Sequence, residues 1–148
     1  MLKDASALGD VFSFTRSGPM SLEDSNALVG VLNRITQKHS KKVNDLINRL
    51  EALGPNEREK TMAIEEIVSR EIEEWNAKVK KLGGLPRGLW LVDMDSGDGY
   101  YCWKFPETHI GFWHDYKSGY TGRIPLEERN KRLKIRQLTE QMDEIEAL

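Results

Sequence analysis

The chain has 148 residues, the length of one average domain. Its 22 Lys and Arg residues nearly balance 24 Asp and Glu residues, for a formal net charge of -2. This balance argues against a dedicated nucleic-acid or anionic-membrane binder. A single cysteine excludes an intrachain disulfide framework and is typical of a reducing compartment. No stretch reaches the ~20 apolar residues of a membrane span, so we expect a cytoplasmic protein.

Residues 22–82 carry the pattern of an antiparallel helical hairpin. Apolar residues recur at spacings of three and four on both sides of Gly54 and Pro55, where the chain can reverse. The first seam is Leu28, Leu32, Ile35, Val43, Leu46, Leu50 and Leu53, and the second is Ile64, Val68, Ile72, Trp75, Val79 and Leu82. His39 falls in the one gap of the first seam. We interpret it as a polar residue that fixes register rather than as a ligand.

Residues 89–115 predict a three-stranded antiparallel meander. The strands are Leu89–Met94, Tyr100–Phe105 and Ile110–His114, all rich in aromatic or β-branched residues. A five-residue Asp/Ser/Gly loop and a Pro-Glu turn separate them. A last helix is predicted over residues 126–148, with an acidic end that opposes its own dipole. The fold class is therefore α+β, in a single domain of residues 1–148.

The tryptophans of the meander have two interpretations. Alternation places apolar side chains on both faces of the strands, and one helical layer covers only one face. We favour core packing for Trp90, Trp103 and Trp113, with an aromatic binding surface as the alternative. The second face would then need the C-terminal helix, a ligand or a partner subunit to cover it.

A nucleophilic site would pair Cys102 with His114, and Asp93 or Asp115 would orient the imidazole. Such chemistry needs a thiol close to the imidazole, and sequence spacing does not establish that distance. A lone cysteine in a strand between aromatic residues is more often an inert small hydrophobic residue. We therefore favour a structural role for Cys102.

A metal site could be sought among His109, His114, Glu107 and Asp115. His109 and His114 are five residues apart, so a regular strand would point them to opposite faces. Glu107 and His109 could share a face, but two ligands do not make a site. We expect no metal and no cofactor.

Basic residues around the meander indicate a small anionic ligand as a further alternative. Arg87, Lys104 and Arg123 flank the sheet, and the planar guanidinium of Arg123 suits a carboxylate or phosphate. No glycine-rich phosphate loop accompanies them. The last helix carries three more arginines, Arg129, Arg132 and Arg136. We interpret these three as a solvated helix face rather than as an RNA- or DNA-binding surface.

The segments GLWLVDM and YYCWKFPETHIGFWHDYKSGYTGRIPL resemble an uncharacterised bacterial family, domain of unknown function 2203. The matching residues are Arg87, Gly88, Asp93, Cys102, Trp103, Lys104, Glu107, Trp113, His114, Gly119, Gly122, Arg123, Pro125 and Leu126. Pro106 departs from the glycine usual in the family, and Tyr120 from the usual phenylalanine. The resemblance covers Met20 to Leu126. It implies a helical hairpin with a small sheet, and it implies no activity.

Two functions are compatible with these patterns. The favoured one is a cytoplasmic protein-interaction or self-associating module, because a narrow seam on long charged helices buries little within one hairpin. We therefore expect a homo-oligomer or a protein partner bound through the helices. The alternative is a small anionic ligand-binding or enzymatic site. Its candidate residues are Asp93, Cys102, Trp103, Lys104, Trp113, His114 and Arg123.

Overall fold

The computed structural model describes residues 18–148. Helices α1, α2 and α3 cover Leu22–Glu51, Arg58–Lys81 and Leu126–Glu146. Strands β1 to β5 cover Leu85–Gly88, Leu91–Asp95, Tyr100–Lys104, Phe112–His114 and Ile124–Pro125. The predicted α+β class is confirmed. Residues 1–17 of the predicted domain lie outside the described residues.

Helices α1 and α2 form the expected antiparallel hairpin. The hydroxyl of Ser21 accepts the backbone N–H of Asp24 at 3.0 Å and so caps the start of α1. His39 lies between the helices, with Nδ1 2.9 Å from Glu71 Oε1 and Nε2 3.0 Å from Lys78 Nζ. An ammonium group only donates, so Nε2 accepts and the ring proton lies on Nδ1, toward Glu71. These directional bonds favour one register of the hairpin.

The five strands form one antiparallel sheet in sequence order. The prediction of a three-stranded sheet was wrong in number, because one further strand lies on each side of the three strands within residues 89–115. The third predicted strand begins at Phe112 rather than Ile110, and the first was also predicted to begin too early. That strand begins at Leu91, because Trp90 lies in the turn after β1 with φ 86. The two unpredicted strands lie at the sheet edges and contain Pro86 and Pro125. Proline has no N–H for a ladder and is tolerated at edges, so such strands lack the usual alternating pattern.

The inner face of the sheet packs against the hairpin. The buried core consists of Met20, Val29, Leu32, Trp75, Val79, Val92, Met94, Tyr101, Trp103 and Ile110. Trp75 is fully buried and contacts the ring of Trp90 edge-on, with centroids 5.0 Å apart. Its Nε1–H donates to Thr36 Oγ1 at 2.8 Å, which satisfies the one polar atom of the side chain.

Only the first part of α3 contacts the rest of the chain. Leu126 packs against the core, Arg129 donates to the carboxylate of Asp98, and Leu133 is half-buried. Every residue from Lys134 onward is exposed. None of the helices in residues 18–148 has the length and apolar character needed to cross a membrane.

We predict that Thr36→Val lowers the free energy of unfolding by about 1–3 kcal/mol, because it leaves the buried N–H of Trp75 without an acceptor. Urea denaturation followed by tryptophan fluorescence measures the change. The matched control is Thr139→Val on the exposed part of α3, for which we expect less than about 0.5 kcal/mol. Equal losses in the two variants would contradict the stabilising role of the Thr36–Trp75 bond.

Candidate functional site

The outer face of the sheet, the side opposite the hairpin, carries a cluster of polar side chains. Asp93 pairs with Cys102 across β2 and β3, and Cys102 pairs with Phe112 across β3 and β4. Tyr100 and His114 form the neighbouring pair. Because side chains alternate between faces along a strand, these five residues project to the same side. The sheet thus brings Asp93, Cys102 and His114 together from three strands.

Asp93 and His114 form a buried pair at the centre of this cluster. His114 Nδ1 lies 2.9 Å from the backbone carbonyl of Asp115, which only accepts, so Nδ1 carries a proton. His114 Nε2 lies 3.0 Å from Asp93 Oδ1, and Arg87 Nε donates to Asp93 Oδ2 at 3.1 Å. The Asp93 carboxylate therefore contacts the imidazole of His114 on one side and the guanidinium of Arg87 on the other.

Cys102 is a buried thiol beside this pair. Burial, together with the charge of Asp93, raises the pKa of the Cys102 thiol to about 12, although Arg123 acts in the opposite direction. A nucleophilic cysteine needs its pKa lowered toward neutrality. His114 is also committed, because both of its ring nitrogens are hydrogen-bonded. Cys102, His114 and Asp93 therefore lie together, as a nucleophilic site would need. However, the Cys102 thiol is protonated, and both ring nitrogens of His114 are already hydrogen-bonded.

Two clusters in residues 18–148 place three potential metal ligand atoms within 4.8 Å of one another. They consist of Asp93, Cys102 and His114, and of His39, Glu71 and Glu74. Arg87 bonds to Asp93 and Arg123 contacts Cys102, while Lys78 bonds to His39. These cations disfavour a divalent metal ion in either cluster, because they occupy the same ligands and repel its charge. Within the described part of the chain, the four residues considered as ligands from the sequence form no such cluster.

Arg123 ties the segment after β4 to the turn after β3. Its Nη1 and Nη2 donate to the two carboxylate oxygens of Glu107 at 3.1 and 2.8 Å. Its guanidinium also lies 3.9 Å from the ring centroid of Phe112 and 4.5 Å from that of Tyr120. Burial alone would lower the pKa of Arg123, but the Glu107 carboxylate outweighs it and holds that pKa above its usual range. The guanidinium of Arg123 is therefore already hydrogen-bonded to Glu107 of the same chain.

The three other candidate residues have different surroundings. Trp103 is fully buried in the core, where its Nε1–H donates to the backbone carbonyl of Glu107 at 2.8 Å. Trp113 packs partly against the same core on the inner face, and its Nε1–H donates to Ser96 Oγ at 2.9 Å. Lys104 is exposed at the end of β3, with its ammonium 5.2 Å from the ring centroid of Tyr120. Neither tryptophan thus lies beside Asp93 on the outer face.

A cavity of about 360 Å³ opens above Asp93 and Cys102. Its lining residues are Arg87, Leu91, Asp93, Tyr100, Cys102, Tyr116, Lys117, Ser118, Gly119 and Tyr120. The sheet supplies the floor, and the segment after β4 supplies one wall. This volume lies within the range of small-molecule sites in proteins.

Hydrogen bonds hold that wall in place. Asp115 Oδ1 accepts the backbone N–H groups of Ser118 at 2.7 Å and Lys117 at 3.0 Å, which lowers the pKa of the Asp115 carboxyl. Tyr116 donates its hydroxyl to Asp95 Oδ1 at 2.8 Å, and this bond raises the pKa of Tyr116 to about 12. These contacts hold the start of the wall, and the Arg123–Glu107 contact holds its end.

The sequence reasoning named Arg87 for anion binding but missed the tyrosines and the lysine that line the cavity. Tyr100, Tyr116, Tyr120 and Lys117 were not candidates, although Tyr100 alternates with the core residue Tyr101. That alternation places Tyr100 on the face of Cys102, which could have made it a candidate. The other three lie in an irregular segment, whose return over the sheet no local pattern indicates.

The family model for the uncharacterised conserved protein DUF2203 matches residues 20–126. The chain belongs to the DUF2203 family. The match covers the whole hairpin and the whole sheet, and it ends at the first residue of α3. No curated protein and no solved structure matches the chain. Membership of DUF2203 thus brings a family description without an assigned activity, and the function has to be argued from the site.

We predict that native Cys102 reacts with iodoacetamide at pH 8 at least about 100-fold more slowly than in the unfolded chain, because burial removes both access and thiolate. Mass spectrometry of timed samples with and without guanidinium chloride gives the two rates. As a control, Ser69→Cys in a Cys102→Ser background places a thiol on the exposed face of α2 and reacts at the unfolded rate. Rapid native alkylation of Cys102 would contradict the protonated, buried state.

We predict that His114→Ala lowers the free energy of unfolding by about 3–5 kcal/mol, because Asp93 loses one of its two partners while it stays buried. His109→Ala is the matched control, since His109 is exposed, and we expect a change below about 0.5 kcal/mol. Chemical denaturation at pH 7 measures both. A similar small change in the two variants would exclude a stabilising Asp93–His114 pair.

Proposed function

We propose that the cavity on the outer sheet face binds a small organic anion. The observation that carries this proposal is the charge of the lining. Arg87 and Lys117 bring two cations to the cavity, and Asp93 is its one acidic lining residue. The charge of Asp93 is already offset by Arg87, which donates to its carboxylate. An anion would therefore meet an excess of positive charge.

The donors needed to recognise an anion are present. Only Nε of Arg87 bonds to Asp93, so its two terminal nitrogens still offer N–H groups to a ligand. The side chain of Arg87 is 46% exposed, and its guanidinium lies 5.1 Å from the ring centroid of Tyr100. Such a stacked guanidinium keeps its planar fork for a carboxylate or a phosphate.

The aromatic lining favours a ligand with a planar, partly apolar body. Tyr100 and Tyr116 meet edge-on with centroids 5.1 Å apart, and Tyr120 lines the cavity as well. Leu91 adds an apolar surface. Rings of this kind stack on flat ligands and exclude water around them. An aromatic carboxylate or a small phosphate ester of a planar group combines both requirements.

Binding is better supported than catalysis at this site. The Cys102 thiol has a pKa raised to about 12, and both nitrogens of His114 are hydrogen-bonded. A general base or a nucleophile needs an available lone pair near neutral pH. A binding protein needs only the shape and the charge of the cavity. We place this role in the cytoplasm, which the single, buried cysteine supports.

Titration calorimetry with benzoate, and with inorganic phosphate as a second probe, tests the proposal. We expect saturable binding of at least one anion and none of benzamide, the neutral analogue of benzoate. Lys117→Gln should weaken binding about 3- to 5-fold, as expected for an exposed charge. Arg87→Gln should weaken it about 10-fold, since a partly buried charged donor is lost.

Arg70→Gln is the matched control, because it removes one positive charge from the exposed surface of α2 and should leave the affinity unchanged. Equal binding of benzamide would contradict an anion site. If neither anion shows saturable binding up to about 10 mM, the proposal is overturned, because a dissociation constant above that concentration is too weak for a specific site.

A second candidate function is that of a self-associating module. The observation that favours it is a row of exposed apolar residues on α3. The hairpin seam, by contrast, supplies Leu32, Trp75 and Val79 to the core beneath the sheet. We therefore assign self-association to α3 rather than to the seam of the hairpin.

A further inference from the structure

We propose that two copies of the chain pair through their α3 helices in antiparallel orientation. This inference rests on the second candidate function, and it is independent of ligand binding in the cavity. The pairing surface is the α3 stripe, which we define as Ile135, Leu138, Met142 and Ile145. These side chains are 63%, 53%, 62% and 68% exposed. Their spacings of three, four and three are those of a coiled-coil seam.

The α3 stripe points away from the body of the chain. Leu133, the last residue of α3 that is not exposed, lies about 140–160° around the helix from Leu138 and Ile135, at 100° per residue. Arg129, which bonds to Asp98, lies only about 40° from Leu133. The side that contacts the sheet and the side that carries the stripe are therefore opposite. A second helix can cover the stripe without disturbing the fold.

The charges of α3 favour a second copy in antiparallel orientation. The first half of the helix is basic, because Arg129, Lys131, Arg132, Lys134 and Arg136 outnumber Glu127 and Glu128. The second half is acidic, with Glu140, Asp143, Glu144 and Glu146. Parallel pairing would place each half beside its like, whereas antiparallel pairing places the basic half of one copy beside the acidic half of the other. The acidic end, unfavourable for its own dipole, would then lie beside cations.

One register satisfies both the stripe and the charges. Ile135 packs against the partner's Ile145, and Leu138 packs against the partner's Met142. In this register Arg132 occupies a flanking position opposite Glu146 of the partner subunit. The overlap begins near Arg132, at the end of the part of α3 that contacts the sheet, so the two bodies lie at opposite ends of the pair.

The size of the stripe predicts a weak and reversible dimer. Four apolar side chains per copy bury less than the ~800 Å² per partner of a standard stable interface. We therefore expect a dissociation constant of about 10–100 μM. The fraction of dimer should then rise with protein concentration over this range. Sedimentation velocity over a concentration series resolves this equilibrium.

Met142→Lys tests whether the stripe carries the association. It places a charge in the seam, and we expect at least about a 10-fold loss of association. The matched control is Met62→Lys on α2, because Met62 is 58% exposed and lies outside the stripe. This control should associate like the parent chain.

Charge reversal tests the orientation. R132E and E146R each replace an attractive contact by a repulsive one in the antiparallel pair, so each alone should weaken association. A mixture of the two variants should associate at least as well as the parent chain, because opposite charges then face each other at both contacts. Parallel pairing would instead put position 146 beside Gln141 and leave E146R almost without effect.

The outcomes separate the inference from the function on which it rests. A monomer at every concentration overturns both self-association and the α3 pair. A dimer that M142K leaves intact overturns the α3 pair and retains self-association through another surface. A dimer weakened by M142K and M62K alike also overturns it. Loss of association in M142K but not in M62K, together with restored association in the mixture of R132E and E146R, supports the antiparallel pair.

Discussion

The burial of the Asp93 carboxylate is the constraint on which the outer sheet face depends. Asp93 lies in the middle of β2 and is only 3% exposed. A buried carboxylate is strongly destabilising unless charged or donor groups surround it. Arg87 from β1 and His114 from β4 supply those groups, so one charge links strands on both sides of β2. The same charge contributes to the raised pKa of Cys102, which keeps the thiol protonated.

The segment between β4 and β5 completes this face because Asp115 and Arg123 anchor it at its two ends. Arg123 holds Glu107 in a two-pronged contact between two aromatic rings, and Asp115 accepts two backbone N–H groups. The segment is therefore positioned at both ends and leaves a cavity over the sheet. Residues that resemble the DUF2203 pattern thus contribute in two ways. Some neutralise the buried carboxylate, and others shape the wall above it.

The inner sheet face, the outer sheet face and helix α3 have three different surface characters. The inner face is apolar and is filled by the hairpin, with the polar atom of Trp75 satisfied by Thr36. The outer face is polar and retains a cavity with basic lining residues. Helix α3 leaves the body with its apolar stripe exposed. The outer face suits a small ligand because it is concave and charged. Helix α3 suits another helix because its stripe is convex and apolar.

Local patterns sufficed for the elements with clear periods. The hairpin, the class of the fold and the opposite orientations of Cys102 and Trp103 all follow from spacings of three, four or two residues. The edge strands were missed because Pro86 and Pro125 interrupt such patterns, and the Arg123–Glu107 contact was missed because 16 residues separate the pair. The sequence by itself determined which side chains share a face. Only the tertiary structure decided that Asp93 meets His114 and that tyrosines close the cavity, because such contacts depend on strand register and loop path rather than on neighbours in the chain.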